Sequence, residues 1–249
     1  TRFHYSTSID VLGRLIEAVT GGHLEDVVRE RVTAPLAMHD TSFVLPEEKL
    51  HRFAACYRHM APASFEFAEK NNIGVSTADT PWLEGGEMKH CPSGGGGMLS
   101  TSNDFMRFAE MLARGGELEG VRILHASTVQ MMRADQIEAR GAERSSLIQH
   151  MQGFGLGTSL ILRPGEKSAF PCLDAGLGTG GWGGAAGTYF FVDPVNHISA
   201  VFTTQILGYS EACPDLRTEG ASLIYSLFPR LAKGSSSGGQ DSLASGFTG

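Results

Sequence analysis

Basic clusters, paired cysteines, long apolar runs and metal-ligand spacings are all missing from this sequence, and each absence removes a class of function. The 249 residues carry a net charge of −7 with no Lys/Arg cluster, which argues against nucleic acid or an anionic membrane surface as a partner. The four cysteines, Cys56, Cys91, Cys172 and Cys213, are far apart and form no Cys-x-x-Cys pair, so neither a zinc knuckle nor a redox motif is present. They are expected to be reduced, mostly buried thiols of a cytoplasmic protein. No apolar run reaches the ~18 residues of a membrane-spanning helix, and no basic-then-apolar signal segment opens the chain. The nine histidines show neither His-x-x-x-His nor His-Glu-x-x-His spacing, so no metal and no other cofactor is expected. The chain opens on Thr1-Arg2-Phe3-His4-Tyr5, without an initiating Met, and reads as the middle of a longer sequence.

What the sequence has in plenty is glycine. Thirty-two glycines beside 41% hydrophobic residues describe a soluble globular chain with many tight turns and close backbone approaches, not a helical bundle. The densest stretch is Gly180 through Thr188, five of nine residues glycine, running into Tyr189-Phe190-Phe191-Val192-Asp193-Pro194. A backbone so short of side chains can approach a ligand closely and then become a strand, and exposed N–H groups beside the Trp182 indole suit an anion or oxyanion. A Gly-rich turn that merely enters a buried strand is the alternative reading of the same residues.

Residues 8–20 place Ile9, Leu12, Ile16 and Val19, flanked by Val11 and Leu15, on one helical face. Ser6, Thr7 or Ser8 caps this helix, Asp10 suits its dipole, and Gly21-Gly22 stops it. A second amphipathic helix carries Leu24, Val27, Val28 and Val32 inward and ends at Pro35. From Met38 to Ser100 the pattern loosens into loops with short strands, Thr41 to Val44 among them. Ser93, in the run Pro92-Ser93-Gly94-Gly95-Gly96-Gly97-Met98, reads as a turn residue; that run lacks the Gly-Lys-Ser/Thr of a phosphate loop. A capped helix follows, closed by Gly115-Gly116, and a shorter one over 123–133 is capped by Ser127. One strand is predicted over Phe154–Leu162, and two more over Thr188–Val192 and Ile198–Thr204 form an antiparallel hairpin. A final helix over 211–232 covers the sheet with Leu216, Leu223, Ile224, Leu227, Phe228 and Leu231. Strands in a block followed by a packing helix indicate an α+β fold: a helical and loop region over 1–150, an antiparallel sheet with its helix over 151–233, and a flexible Gly/Ser-rich tail over 234–249.

Four pieces in this order resemble the serine β-lactamase and penicillin-binding fold, most closely the family VIII carboxylesterases: Tyr5-Ser6-Thr7 with the helix after it, Pro35-Leu36-Ala37-Met38, Pro92 to Met98, and Trp182-Gly183-Gly184-Ala185 running on to Phe191-Val192-Asp193-Pro194. The resemblance implies an antiparallel sheet flanked by helices and an acyl-enzyme mechanism on a small-molecule ester. It also implies roles. Tyr5 fills the position of the proton-moving tyrosine, Trp182-Gly183-Gly184 that of the motif along the edge strand, and the Ala185 N–H that of the second oxyanion donor. Thr7 stands where the lactamases carry asparagine and Trp182 where they carry lysine, which favours an esterase; Thr7, Trp182, Gly183 and Gly184 are then substrate-binding.

The family's Ser-x-x-Lys is not in this sequence: three positions before Lys49, Lys70, Lys89, Lys167 and Lys233 stand Pro46, Phe67, Gly86, Pro164 and Arg230. In the family that motif precedes the tyrosine, so the chain is expected to be the C-terminal part of a serine hydrolase, N-terminally incomplete and inactive alone, with the motif on a missing segment or a second chain. A non-catalytic binding domain is a second reading. A third makes Thr1 an N-terminal nucleophile, with its own α-amine as base.

Overall fold

The computed structural model describes residues 2–60, 64–67, 92–143, 153–165, 174–207 and 216–228. Thr1, Cys91, Cys172, Cys213 and the Gly/Ser-rich tail lie outside these. Helix α1 spans Ser8–Thr20 and is closed, as predicted, by Gly21 in the left-handed conformation, its N–H on Glu17 O at 2.8 Å. Its start differs from expectation. Thr7 holds the N-cap position but its side chain makes no capping bond. Much of the predicted inner stripe also faces outward: Ile9, Leu12 and Val19 are 42%, 46% and 78% exposed, Ile16 is half-buried, and Gly13 is buried. The reason is close approach. Gly13 lets Leu24 pack on the helix, and a Cβ on Gly94 would stand 2.8 Å from Ile9 O, so the glycine run seats on α1 only because it has no side chain there.

Helix α2, Leu24–Val28, continues into a single π-helical turn over Arg29–Thr33 before Pro35. Ser42 and Leu99 form an isolated antiparallel bridge, which is the extended piece predicted around Phe43. Strands β1 (Tyr57–Met60) and β2 (Ser64–Phe67) pair antiparallel within the loop-rich region. Helix α3, Ser102–Ala113, is capped by Thr101, which accepts from Asp104 N at 3.2 Å. It ends in a Schellman motif, with Gly116 N on Met111 O and Gly115 N on Leu112 O. The short pair β3 (Glu117–Leu118) and β4 (Val121–Arg122) leads to α4, Ala126–Met132, and α5, Gln136–Ala139. Ser127 does not cap α4; His125 holds that position and lends no side-chain bond.

The single strand predicted over 154–162 is instead a hairpin of β5 (Gly153–Phe154) and β6 (Ser159–Leu160), because Gly157 turns the chain at φ +98°. These join β7 (Gly180–Gly183), β8 (Tyr189–Asp193) and β9 (Ile198–Phe202) in one antiparallel sheet ordered β5-β6-β7-β8-β9. The β8–β9 hairpin is the predicted one. Strand β10, Ile206–Leu207, leaves this sheet to pair parallel with β1.

Strand β8 is buried throughout because helices cover both sides of the sheet. Tyr189, Phe191 and Ala200 pack against Ala221 and Tyr225 of α6 (Leu216–Leu227), while Phe190 and Val192 pack against Ala109, Met111 and Leu112 of α3. The face of α6 is only in part the predicted one: Ile224 packs against this core, whereas Leu223, Leu227 and Phe228 are exposed. The row used instead is small and aromatic. A Cβ on Gly220 would stand 2.7 Å from Tyr189 Oη, and Tyr225 Oη bonds Asp193 at 2.6 Å, which fixes the helix's rotation. No helix among the described residues is long and apolar enough to cross a membrane.

Candidate active site

The residues just before α1 are tied to the segment that follows α5. Arg2 forms a parallel bridge with Glu143, and Phe3 N donates to Glu143 O at 2.8 Å. The Phe3 ring lies 5.0 Å from Phe154, which meets Trp182 edge to face at 5.0 Å and 87°. Tyr5 completes this aromatic row, its ring 5.1 Å from Trp182 and its Oη accepting from Trp182 Nε1 at 3.2 Å. Two residues 177 positions apart thus share a hydrogen bond. Tyr5 is 40% exposed.

Helix α1 is held to the glycine run by a clamp that sequence reading missed. Ser93 Oγ donates to Asp10 Oδ1 at 2.6 Å and Gly95 N donates to the same oxygen at 3.2 Å. Asp10 therefore does more than suit the helix dipole, and Ser93 more than turn the chain. Nothing in the sequence signals a pair 83 residues apart. Thr7 is exposed; its carbonyl accepts from Asp10 N and Val11 N.

Trp182 stands opposite Phe190 in the β7–β8 register. Gly180 and Gly181 also pair with β6, whereas Trp182 and Gly183 run past it, so only this half of the motif lies at a strand edge. The following turn is tightly fixed: Gly184 N donates to Thr188 O at 2.8 Å, Gly187 N to Gly184 O at 3.1 Å, and Thr204 Oγ1 and Ile206 N both to Ala186 O. A side chain at either glycine would crowd its neighbours. A Cβ on Gly184 would stand 2.5 Å from Thr188 Oγ1, and one on Gly183 would stand 3.0 Å from the guanidinium carbon of Arg217. Arg217 Nη2 donates to Gly184 O at 2.7 Å, a contact no sequence pattern announces. Ala185 is exposed in this turn, and its N–H has no acceptor among the described residues.

The far end of β8 is anchored by Asp193. Its carboxylate accepts from Gly176 N at 2.8 Å, Val195 N and Asn196 N at 2.9 Å, Asn196 Nδ2 at 2.8 Å and Tyr225 Oη at 2.6 Å. Burial pushes this carboxyl up, but the bonds from Tyr225, Asn196 and Gly176 outweigh it and hold it below the usual carboxylate range. Cys56 is a buried thiol outside any disulfide. Among the described residues no three His, Cys, Asp or Glu side chains gather where a metal could be held.

The family profile described as Beta-lactamase matches residues 1–221. The Mycobacterium tuberculosis protein Rv1367c is 32% identical over 235 residues, 93% of this chain and 54% of that protein. Esterase EstB of Burkholderia gladioli is 30% identical over 212 residues, 81% of this chain and 49% of its own length. The solved structure of EstCE1, described as a hydrolase with promiscuous acyltransferase activity, has a TM-score of 0.63 at 27% identity, covering 84% of this chain and 52% of that one. The chain spans about half the length of the curated relatives it matches.

Proposed function

The chain belongs to the Beta-lactamase family, and from that premise we propose that it is the C-terminal part of a serine hydrolase that cleaves short-chain carboxylic esters, its Ser-x-x-Lys nucleophile carried on a segment outside these residues. The observation that carries this reading is the Tyr5–Trp182 pair, with Trp182 Nε1 on Tyr5 Oη at 3.2 Å. It joins the proton-moving tyrosine to the strand motif across the whole sequence. An indole in the place of a lysine offers an apolar wall and no cation, which suits a short acyl or aryl group better than a carboxylate.

The chemistry follows from these groups. The serine Oγ forms a bond to the ester carbonyl carbon while its proton passes to the Lys/Tyr5 base. The carbonyl electron pair moves onto oxygen, where the Ala185 N–H and the serine's own N–H receive the charge. On collapse the C–O bond to the alcohol breaks and the proton returns through Tyr5 to the leaving oxygen. Water repeats the sequence on the acyl-enzyme, releasing the acid. Tyr5 thus serves as base and acid in turn.

The exposed face of α1 supports a docking segment as well. Val11, Leu12, Leu15 and Val19 form an exposed apolar stripe on the helix that follows Tyr5, a surface on which a segment bearing Ser-x-x-Lys could dock. The test is to mix the chain with the Ser-x-x-Lys segment of a relative and follow nitrophenyl acetate hydrolysis. Turnover in the mixture and none in the chain alone is expected. Complex formation without turnover would overturn the hydrolase reading and leave a binding domain.

A further inference from the structure

We propose that Arg217 is a positioning residue for the oxyanion donor: its guanidinium, bonded to Gly184 O at 2.7 Å, fixes and polarises the Gly184–Ala185 peptide so that the Ala185 N–H is held ready for developing negative charge. The inference rests on the reading of Ala185 as that donor. A trans peptide is planar, and its C=O and N–H point to opposite sides. A group that grips the Gly184 carbonyl therefore sets where the Ala185 N–H points.

Three bonds hold Gly184 in place: Arg217 Nη2 and Gly187 N both donate to its oxygen, at 2.7 and 3.1 Å, and its own N–H donates to Thr188 O at 2.8 Å. Against this, the Ala185 N–H has no acceptor among the described residues and sits at an exposed position. A peptide with its carbonyl doubly satisfied and its N–H left over is arranged as a donor. The bond from Arg217 is charge-assisted, and hydrogen bonds along a peptide polarise one another, so a cation on the oxygen makes the N–H at the other end more positive.

The flanking sequence is built around this contact. Gly183 has no side chain, and a Cβ there would stand 3.0 Å from the Arg217 guanidinium carbon and 3.1 Å from Nη1. The same Cβ would stand 3.0 Å from Thr188 O, so Gly183 leaves room both for the β8 backbone and for the guanidinium. Arg217 itself is the second residue of α6, and α6 is locked to the sheet by Ala221 and by the Tyr225–Asp193 bond. The guanidinium is delivered by a rigid element, as a positioning group needs.

The experiment compares the chain with Arg217→Met and Arg217→Lys by ¹⁵N–¹H spectroscopy alone, and by ester kinetics after addition of the Ser-x-x-Lys segment, with thermal melts to confirm that each variant folds. Arg217→Met is expected to move the Ala185 amide cross-peak upfield and to lower kcat about tenfold to a hundredfold with KM unchanged, less than the 10²–10³ lost when an oxyanion donor is removed outright. Arg217→Lys is expected to recover part of both. In a folded variant an unmoved Ala185 cross-peak, or an unchanged kcat in an active mixture, overturns the proposal. A merely structural arginine would change the melt without separating kcat from KM. A wild-type mixture with no turnover counts against the hydrolase reading instead, and the cross-peak then decides by itself whether Arg217 polarises that peptide.

Discussion

Replacing Asp193 with Ala removes a carboxylate whose five hydrogen bonds tie together the loop at Gly176, the β8–β9 turn and helix α6. Asp193 is 1% exposed, so the donors it leaves behind at Gly176, Asn196 and Tyr225 have little access to water. Each orphaned buried donor costs about 1–3 kcal/mol, and because water and side-chain movement recover part of the loss, a total of about 3–5 kcal/mol is expected rather than a simple sum. That is a large share of the roughly 5–15 kcal/mol that holds a typical domain. Tyr225→Phe removes one donor without orphaning another, and should cost only about 1–2 kcal/mol. Urea unfolding followed by circular dichroism at neutral pH measures both, and with a slope of about 2 kcal/mol/M the Asp193→Ala midpoint should fall by more than ~1 M. A loss under ~1 kcal/mol in Asp193→Ala, or a Tyr225→Phe loss as large as that of Asp193→Ala, would mean that the carboxylate does not hold these elements together.

Acid should act through the same group. Asp193 has a folded pKa below its unfolded value, so its contribution is complete above the unfolded pKa of about 3.9 and is lost as pH falls through the lower folded value; unfolding free energies measured from pH 5 to 2 should fall less steeply in Asp193→Asn than in the wild type. Thr101→Ala, which removes the α3 cap on Asp104 N, should cost about 1 kcal/mol in the same urea assay. Tyr5→Phe should lower kcat of the complemented enzyme by about 10²–10⁴ while leaving segment binding intact, measured by steady-state ester kinetics and titration calorimetry. Leu12→Asp with Leu15→Asp should leave the melt of the chain within a few degrees, since both side chains face solvent, yet abolish binding of the Ser-x-x-Lys segment in the calorimeter.

The fold was legible where local rules act alone. Gly21, Thr101 and Gly115-Gly116 stop or start helices as their chemistry requires, and the run from Asp193 to His197 makes the β8–β9 turn. Periodicity misled where the apolar stripe and the docking face differ. Helix α1 docks through Gly13, and α6 through Ala221 and Tyr225, so both present large aliphatic residues to solvent. At the site, Tyr5 and Trp182 were named from motif resemblance, and the structure brings them into one hydrogen bond. Asp10–Ser93, Arg217–Gly184 and the Asp193–Tyr225 bond were not legible. Each links positions 32 to 83 residues apart, and a polar pair at that separation leaves no periodic trace.

On the proposed reading this chain supplies the wall of an acyl-transfer site and not its nucleophile. Rapid mixing with nitrophenyl acetate, with and without the Ser-x-x-Lys segment, followed by intact and peptide mass spectrometry, tests it most directly. An acetyl group is expected to form and decay with turnover on the serine of the added segment, with none of that kinetics on this chain. A turnover-linked acetyl on Thr1, Ser93 or any other residue here, or a stable complex that never acylates, would contradict it.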